Sequence, residues 1–314
     1  MHARVPRLTV QSIVSSSLDG YVIPPLSSSL AQVLSIVSNN AQTSALQPLT
    51  RAVESDPALA TYVLRRVNSP FYGVSRHVES VGKAVRLLGG KTVCEITLEA
   101  GLRQAFPYLE SASTQNIYQL LMQTSIMTAQ AAQRLSDTLR VPHHQQAFLA
   151  GLLHQVGRLV ALNQHKQAYA SVWYDLTDGG QTNDAPALRR PSRADELKAV
   201  GTDYLTLGRK VASHWHLPEV TQVCLRWQES PEDVSHVPFV PIVFAVRVAS
   251  LYAYYLVLST PPDDGVPTLD ELPDDLQASL MSLSSLRKKA PDDLLELLWV
   301  HRDEVEDAAR ARTD

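Results

Sequence analysis

The chain has 314 residues, 45% of them hydrophobic, with 28 basic against 32 acidic side chains and a formal net charge of -4. That length allows one large domain or two ordinary ones with a substantial core, and that charge excludes a general basic field for nucleic acid while permitting a local basic patch. Only Cys94 and Cys224 are present, which excludes a disulfide framework or a paired-cysteine zinc site and fits a reduced, cytoplasmic compartment.

Residues 1–22 are weakly patterned, with Val10, Ile13 and Val14 as the only apolar cluster, and a short helix or an arm on the core is expected there. Arg4 and Arg7 are not followed by a sustained apolar run and a small-residue cleavage site, so no signal peptide is expected. From Ser27 a helical stripe of Leu30, Val33, Leu34 and Val37 runs to Asn39-Asn40. Thr43 or Ser44 is placed to cap the next helix, which buries Leu46, Leu49 and Val53. Asp56 is a good N-cap, and Pro57 occupies the first helical position, where a missing N–H costs nothing. Leu59, Val63 and Val67 then recur at four-residue spacing and give one buried stripe. Asn68-Ser69-Pro70 stops that helix, because the residue before a proline is pushed out of the helical region. Phe71-Tyr72-Gly73 carries two aromatics into a loop. Val81, Ala84, Val85 and Leu88 begin another amphipathic helix, with Gly89 as its expected left-handed cap. A further helix opens at Lys91-Thr92, sets Val93, Ile96 and Ala100 on one face, and ends at Pro107. No strand-like alternation is sustained.

A long helix over 115–139 carries Ile117, Leu120, Leu121, Ile126, Ala129 and Leu135 before Pro142 breaks it. Residues 145–153 are strongly apolar, and a second apolar turn, 156–162, follows His154-Gln155. Between 177 and 193 the composition shifts to Gly, Asn, Asp, Pro and Arg, which predicts a loop. Helices resume over 196–198, 204–216 and 218–228. The segment 239–258 is long enough to span a bilayer, with Arg247 as its one charge. A central arginine costs roughly 2.5–3.5 kcal/mol on insertion scales, which a run this apolar can tolerate, but Pro241 near the start weighs against insertion and no membrane is expected. The breaker-rich run 260–265 reads as a linker. Beyond it, 269–289 and 291–312 form two amphipathic helices, with Leu276, Leu280 and Leu283 on one face and Leu294, Leu297 and Leu298 on another. They pack against the bundle or, as the sharper alternative, make a homodimer contact.

Asp56-Pro57, Leu59, Asn68-Ser69, Phe71-Tyr72-Gly73 and the helix end from Ala84 to Gly89 together resemble the HDOD family, a bacterial regulatory relative of the HD phosphohydrolases. Pro24-Pro25-Leu26 upstream and Leu152-Leu153-His154-Gln155-Val156-Gly157-Arg158-Leu159 downstream fit the same order, so the resemblance runs from residue 23 to about residue 255. It implies an all-α protein: an N-terminal arm over 1–22, a helical bundle over 23–110, a degenerate HD-like helical subdomain over 111–259, and a linker with a C-terminal helical extension over 260–314.

An active HD phosphohydrolase holds divalent metal with a histidine on one helix, a His-Asp pair on the next and an aspartate on a later helix. Imidazole and carboxylate ligands there let the metal polarise phosphate and lower the pKa of its water. By the resemblance, Thr124-Ser125 stands where the first histidine would be, His154 keeps the histidine of the pair, Gln155 replaces its aspartate, and Val246 stands at the last aspartate. Most of the ligands are missing, so no metal, no cofactor and no catalytic residue are expected. His143-His144 and His214-x-His216 are the other imidazole pairs, each beside a proline at a helix end. His154 reads as a buried, hydrogen-bonded histidine or, with Arg158 four residues on, as part of an anion-holding pair. The 68–73 loop reads as a structural turn, with Phe71 in the core and Asn68 bonding free backbone groups. Alternatively it is an exposed recognition rim of Tyr72, Arg65, Arg66 and Arg76 for a signalling protein partner. The resemblance implies a non-catalytic signal-transduction module acting by protein or small-ligand binding. Its competitors are a metal-dependent phosphohydrolase with an atypical ligand set around His154, and a receptor for a nucleotide or cyclic dinucleotide in the old cleft.

Overall fold

The computed structural model describes residues 17–18, 20–107, 111–174, 189–235, 237–259, 265–300 and 302–303. Most of the expected N-terminal arm, the 177–188 part of the expected loop, the 260–264 part of the linker and the end of the last expected helix lie outside the described residues. The described chain is all-α apart from one short antiparallel pair, β1 (Ser17–Leu18) with β2 (Tyr21–Val22), turned at Gly20 with φ 86°. This part of the arm is therefore a hairpin rather than a helix. Tyr21 anchors it: the side chain is buried and its hydroxyl donates to the Val200 carbonyl at 2.8 Å.

The first helices follow their capping chemistry with two exceptions. Ser27 caps α1 (Ser28–Ser38) by accepting from the Leu30 N–H. Neither Thr43 nor Ser44 caps α2 (Leu46–Glu54), which starts after Ala45 with no side-chain cap, because backbone turns over 41–45 lead directly into it. Asp56 accepts from the N–H groups of Ala58 and Leu59 at the head of α3 (Pro57–Val67). In α4 (Val81–Ala105) Gly89 has φ 83° and ψ 160°, an extended mirror-image conformation rather than a left-handed helical cap. Only glycine adopts it without strain, and the second half of α4 resumes at once with no loop between. The expected stripes of α1 and α3 are buried in one core, as are Leu49 and Val53 of α2 and Val81, Ala84 and Val85 of α4. Leu46, expected to be buried, is instead 36% exposed, and Leu88 is only half-buried.

The second half is built round α5 (Ala112–Thr138), against which α6 (Ala147–Leu153) and α7 (Val156–Ala170) pack. Two glycines set how closely. A Cβ on Gly151 would lie 2.7 Å from Ala129 Cα on α5, and one on Gly157 would lie 2.0 Å from the Tyr204 carbonyl oxygen. After α8 (Arg193–Val200), α9 (Tyr204–His214) and α10 (Glu219–Trp227) comes α11 (Val240–Leu258), apolar on all sides and packed along α5. It is the one described helix long and apolar enough to cross a membrane, and 78% of its apolar window is buried inside the protein.

The tail closes over this helix. Leu276, Leu280 and Leu283 of α12 (Asp274–Arg287) are buried, and Ser279 meets Arg247 Nε at 2.9 Å. In α13 (Pro291–Val300) the buried set is Leu294, Leu295 and Leu298, with Leu297 only half-buried. Tyr252 of α11 donates to the Leu298 carbonyl at 3.2 Å. The tail thus packs on the bundle of its own chain.

Candidate functional site

The helix that begins as α6 stops at His154, Gln155 leaves helical geometry (φ -119°, ψ 23°), and α7 starts at Val156. This break turns both side chains into the interior, where both are buried. His154 Nδ1 lies 2.7 Å from the Gly151 carbonyl. A carbonyl only accepts, so Nδ1 carries the proton and Nε2 presents a lone pair, which meets no donor among the described residues. Burial pushes the imidazole down to about 3, and the charges of Arg190 and Arg158 act in the same direction against the Gly151 bond. It is neutral at pH 7.

Gln155 reaches into α5. Its amide nitrogen lies 2.7 Å from Thr124 Oγ1, 3.0 Å from Ser125 Oγ and 2.9 Å from the Leu121 carbonyl, all as donor. Thr124 is free to accept because its own hydroxyl donates to the Leu120 carbonyl at 2.7 Å. On the other side, Gln155 Oε1 accepts from the Tyr254 hydroxyl, which accepts from Arg158 Nη1 at 3.1 Å. Thr124 and Gln155, two of the positions that the resemblance assigns to metal ligands, are bonded directly to each other. Val246 is fully buried and apolar. The contact that α11 makes with Gln155 comes instead from Tyr254, about two helical turns further on.

His154 and Arg158 do not share a helical face, because the break falls between them. The Arg158 guanidinium faces Glu196 on α8, Nε to Oε1 at 3.0 Å, and its Nη2 donates to the Pro191 carbonyl at 3.2 Å. It lies over the rings of Tyr204 at 4.2 Å and Trp173 at 5.3 Å. Glu196 accepts in turn from the Tyr169 hydroxyl and the Tyr204 N–H, both at 2.8 Å. Burial opposes the charge on Arg158, but Glu196 and the surrounding tyrosines hold it charged well above the ordinary arginine range. The anion beside Arg158 is thus a carboxylate of the chain itself. A second pair lies alongside: Arg190 donates to Glu229 at 2.7 Å, Tyr204 donates its hydroxyl to the same oxygen, and Arg190 lies 5.0 Å over the Tyr254 ring. Burial works against Glu229 as an anion, yet Arg190 and the Tyr204 hydroxyl hold its carboxyl below the usual range.

A divalent metal needs several imidazole or carboxylate ligands converging on one point. His154 offers one nitrogen, Thr124 and Gln155 are spent on each other, and Val246 offers none. Among the described residues no group of three or more His, Cys, Asp or Glu could hold a metal ion. These residues do not fit the metal of an HD enzyme. Of the other imidazoles, His143 lies against Phe239 with ring centres 5.1 Å apart, and His144 Nδ1 is 2.6 Å from Asp137, which also meets Lys91 at 3.1 Å. Burial pushes the thiols of Cys94 and Cys224 up to about 12, so neither is a ready nucleophile.

In the 68–78 loop Asn68 is the clasp. Its amide donates to the carbonyls of Leu64 at 2.8 Å and Val78 at 2.9 Å, and its oxygen accepts from the Val78 N–H at 2.8 Å. Phe71 is 38% exposed, not inserted in the core as a structural turn would require, and stands edge-on to Tyr72 with ring centres 4.9 Å apart. Arg66 is only 4% exposed, so it is no part of an exposed rim. It supports the loop from beneath, 4.8 Å from the Phe71 ring centre and 5.3 Å from that of Tyr72, and donates to Ser69 Oγ at 3.1 Å. Arg65 and Arg76 are exposed and Tyr72 is half-buried.

An all-helical domain with an HD-like arrangement of α5, α6, α7 and α11 is the class these elements define. The HDOD domain model matches residues 23–231, and the chain belongs to the HDOD domain family. The match stops short of α11. The fold is also that of an HDOD domain protein of unknown function from Geobacter sulfurreducens: 19% identity, 93% of this chain and 94% of that one covered, TM-score 0.69. A provisionally assigned phosphohydrolase from Shewanella amazonensis SB2B shares 21% identity over 91% of this chain and 94% of that one, TM-score 0.63. A provisionally assigned signal transduction protein from Marinobacter aquaeolei VT8 shares 20% identity over 93% of this chain and 60% of that one, TM-score 0.63. In sequence the chain is 22% identical over 242 residues to an uncharacterized protein of Treponema pallidum (strain Nichols), covering 76% of this chain but only 44% of that protein's length.

Proposed function

We propose that this chain is a non-catalytic signal-transduction module that works by binding a protein partner in the cytoplasm. The observation that carries the reading is the hydrogen-bonded closure of the old cleft: the Gln155 amide, Thr124, Ser125 and Tyr254 satisfy one another where an HD enzyme would place ligands. A neutral, mutually bonded set supplies no metal-bound water and no general base. The signal-transduction assignment of the Marinobacter relative supports the same direction, and the burial of α11 supports a place away from the membrane. The receptor reading finds less support, since an anionic ligand at Arg158 would have to displace Glu196.

The test is the divalent-metal content of untagged protein, measured with hydrolysis of bis(p-nitrophenyl) phosphate in the presence of manganese. Trace metal and no turnover above buffer are expected. Near-stoichiometric metal with turnover that disappears in His154→Ala would overturn the reading in favour of an atypical phosphohydrolase.

A further inference from the structure

An open groove of about 490 Å³ runs between α2 and the first half of α4. Leu46 and Val85 give it an apolar floor with the Thr50 side chain beside them, and Arg51 and Arg86 stand on its two sides. Both arginines are exposed, and neither has a hydrogen-bond or ion-pair partner among the described residues. This sets them apart from Arg158, Arg190, Arg193 and Arg247, each of which is matched to a carboxylate. In a chain with a net charge of -4, two unmatched guanidinium groups flanking an apolar floor form a local field of opposite sign. Leu46 itself remains partly exposed on that floor.

The chemistry that fits is specific. Guanidinium forks match carboxylates in a bidentate manner, and an apolar trough between two helices accepts the aliphatic stripe of a third. The groove lining has no aromatic ring on which a base could stack, so a nucleotide would find only its phosphates recognised. We propose that this groove docks an acidic amphipathic helix of a protein partner, its carboxylates on Arg51 and Arg86 and its leucine-type side chains on Leu46 and Val85. The proposal rests on the reading that the chain acts by binding, and it names the surface. Gly82 provides the means to test it without touching charge. A Cβ there would lie 3.6 Å from Arg86 Nη1 and 3.7 Å from Thr50 Cγ2, ordinary contact distances, so a larger side chain enters the groove without meeting backbone.

Fluorescence polarisation of the full chain with a labelled synthetic helix, carrying Leu and Glu at helical spacing, is the experiment, with a Gln-for-Glu peptide as control. The Glu peptide should bind at least about tenfold tighter than the Gln peptide, and its binding should weaken as salt rises. Arg51→Glu with Arg86→Glu should abolish that preference, and Gly82→Leu should weaken binding by about tenfold without lowering the melting temperature. Arg65→Glu with Arg76→Glu should leave it intact. Equal binding of the two peptides, or loss through the Arg65 and Arg76 changes instead, would overturn the groove. Metal content and phosphodiester hydrolysis of the same preparation separate the two claims. Metal-free, inactive protein that ignores the peptide removes the groove alone, and metal-loaded turnover removes the non-catalytic reading alone.

Discussion

At neutral pH the His154 imidazole carries no charge, because a proton there would be stranded among buried groups with Arg190 and Arg158 close by. In the unfolded chain a histidine titrates near 6.5, whereas burial holds the folded group at about 3. Between those values the unfolded state binds the extra proton, so the stabilising contribution is complete above about pH 6.5 and is lost as pH falls toward 3. The slope is about 1.4 kcal/mol per pH unit. Glu229, Asp137 and Asp203 are held below the ordinary carboxylate range and titrate further into acid. Urea titrations between pH 6 and 4.5 should therefore show a shallower acid loss in His154→Leu by about that slope; parallel curves would contradict the neutral, buried assignment. His154, Thr124 and Gln155 are legible in sequence because they stand at motif positions. Glu196, Glu229 and Tyr254 are not, since a glutamate on the short polar α8 or in the turn after α10 reads as solvated, a tyrosine in the apolar α11 reads as core, and the arginines they meet lie on other elements. The only signal was Arg158 itself, a charge in an apolar run that had to be answered from somewhere.

Elements here are positioned by backbone contact as much as by side-chain stripes. With the Tyr204 carbonyl oxygen 2.0 Å from where a Cβ would stand, Gly157→Ala has to push α7 from α9 and disturb the Arg158 stack on Tyr204. A loss of about 2–3 kcal/mol is expected by chemical denaturation. Gly82→Ala is the internal control. Its added methyl meets only ordinary contacts, so relief of glycine entropy in a helix should stabilise by about 0.5–1 kcal/mol. Equal effects of the two substitutions would mean that α7 and α9 do not meet backbone to backbone. Helices with a good cap and a regular stripe, such as α1 and α3, are evident from sequence because both signals are local. The start of α2, the bend at Gly89 and the β1–β2 hairpin are less so: a backbone turn needs no capping side chain, glycine permits several conformations, and a two-residue strand has no period to detect.

For the molecule as a whole, the helices beyond 265 are part of the packed body. Each leucine they bury contributes roughly 1.5–3 kcal/mol, and Leu276, Leu280, Leu283, Leu294, Leu295 and Leu298 all contribute. Ending the chain after residue 259 should lower the melting temperature sharply and drive the protein into the insoluble fraction on expression. An unchanged melting curve would show that α12 and α13 add little to the core. Their leucine spacing made the pairing with the bundle readable in sequence, while the particular partner, Arg247 with Ser279, was set only by the crossing of α11 and α12. There is a consequence for how the protein is made. A ribosome adding about 5–20 residues per second releases α11 several seconds before it has finished the two helices that shelter it. For that interval the face of this 19-residue apolar helix that α12 covers is bare, while the face along α5 already has its partner. Folding then competes with misdirection, and Arg247, the only charge along that helix, counts roughly 2.5–3.5 kcal/mol against insertion.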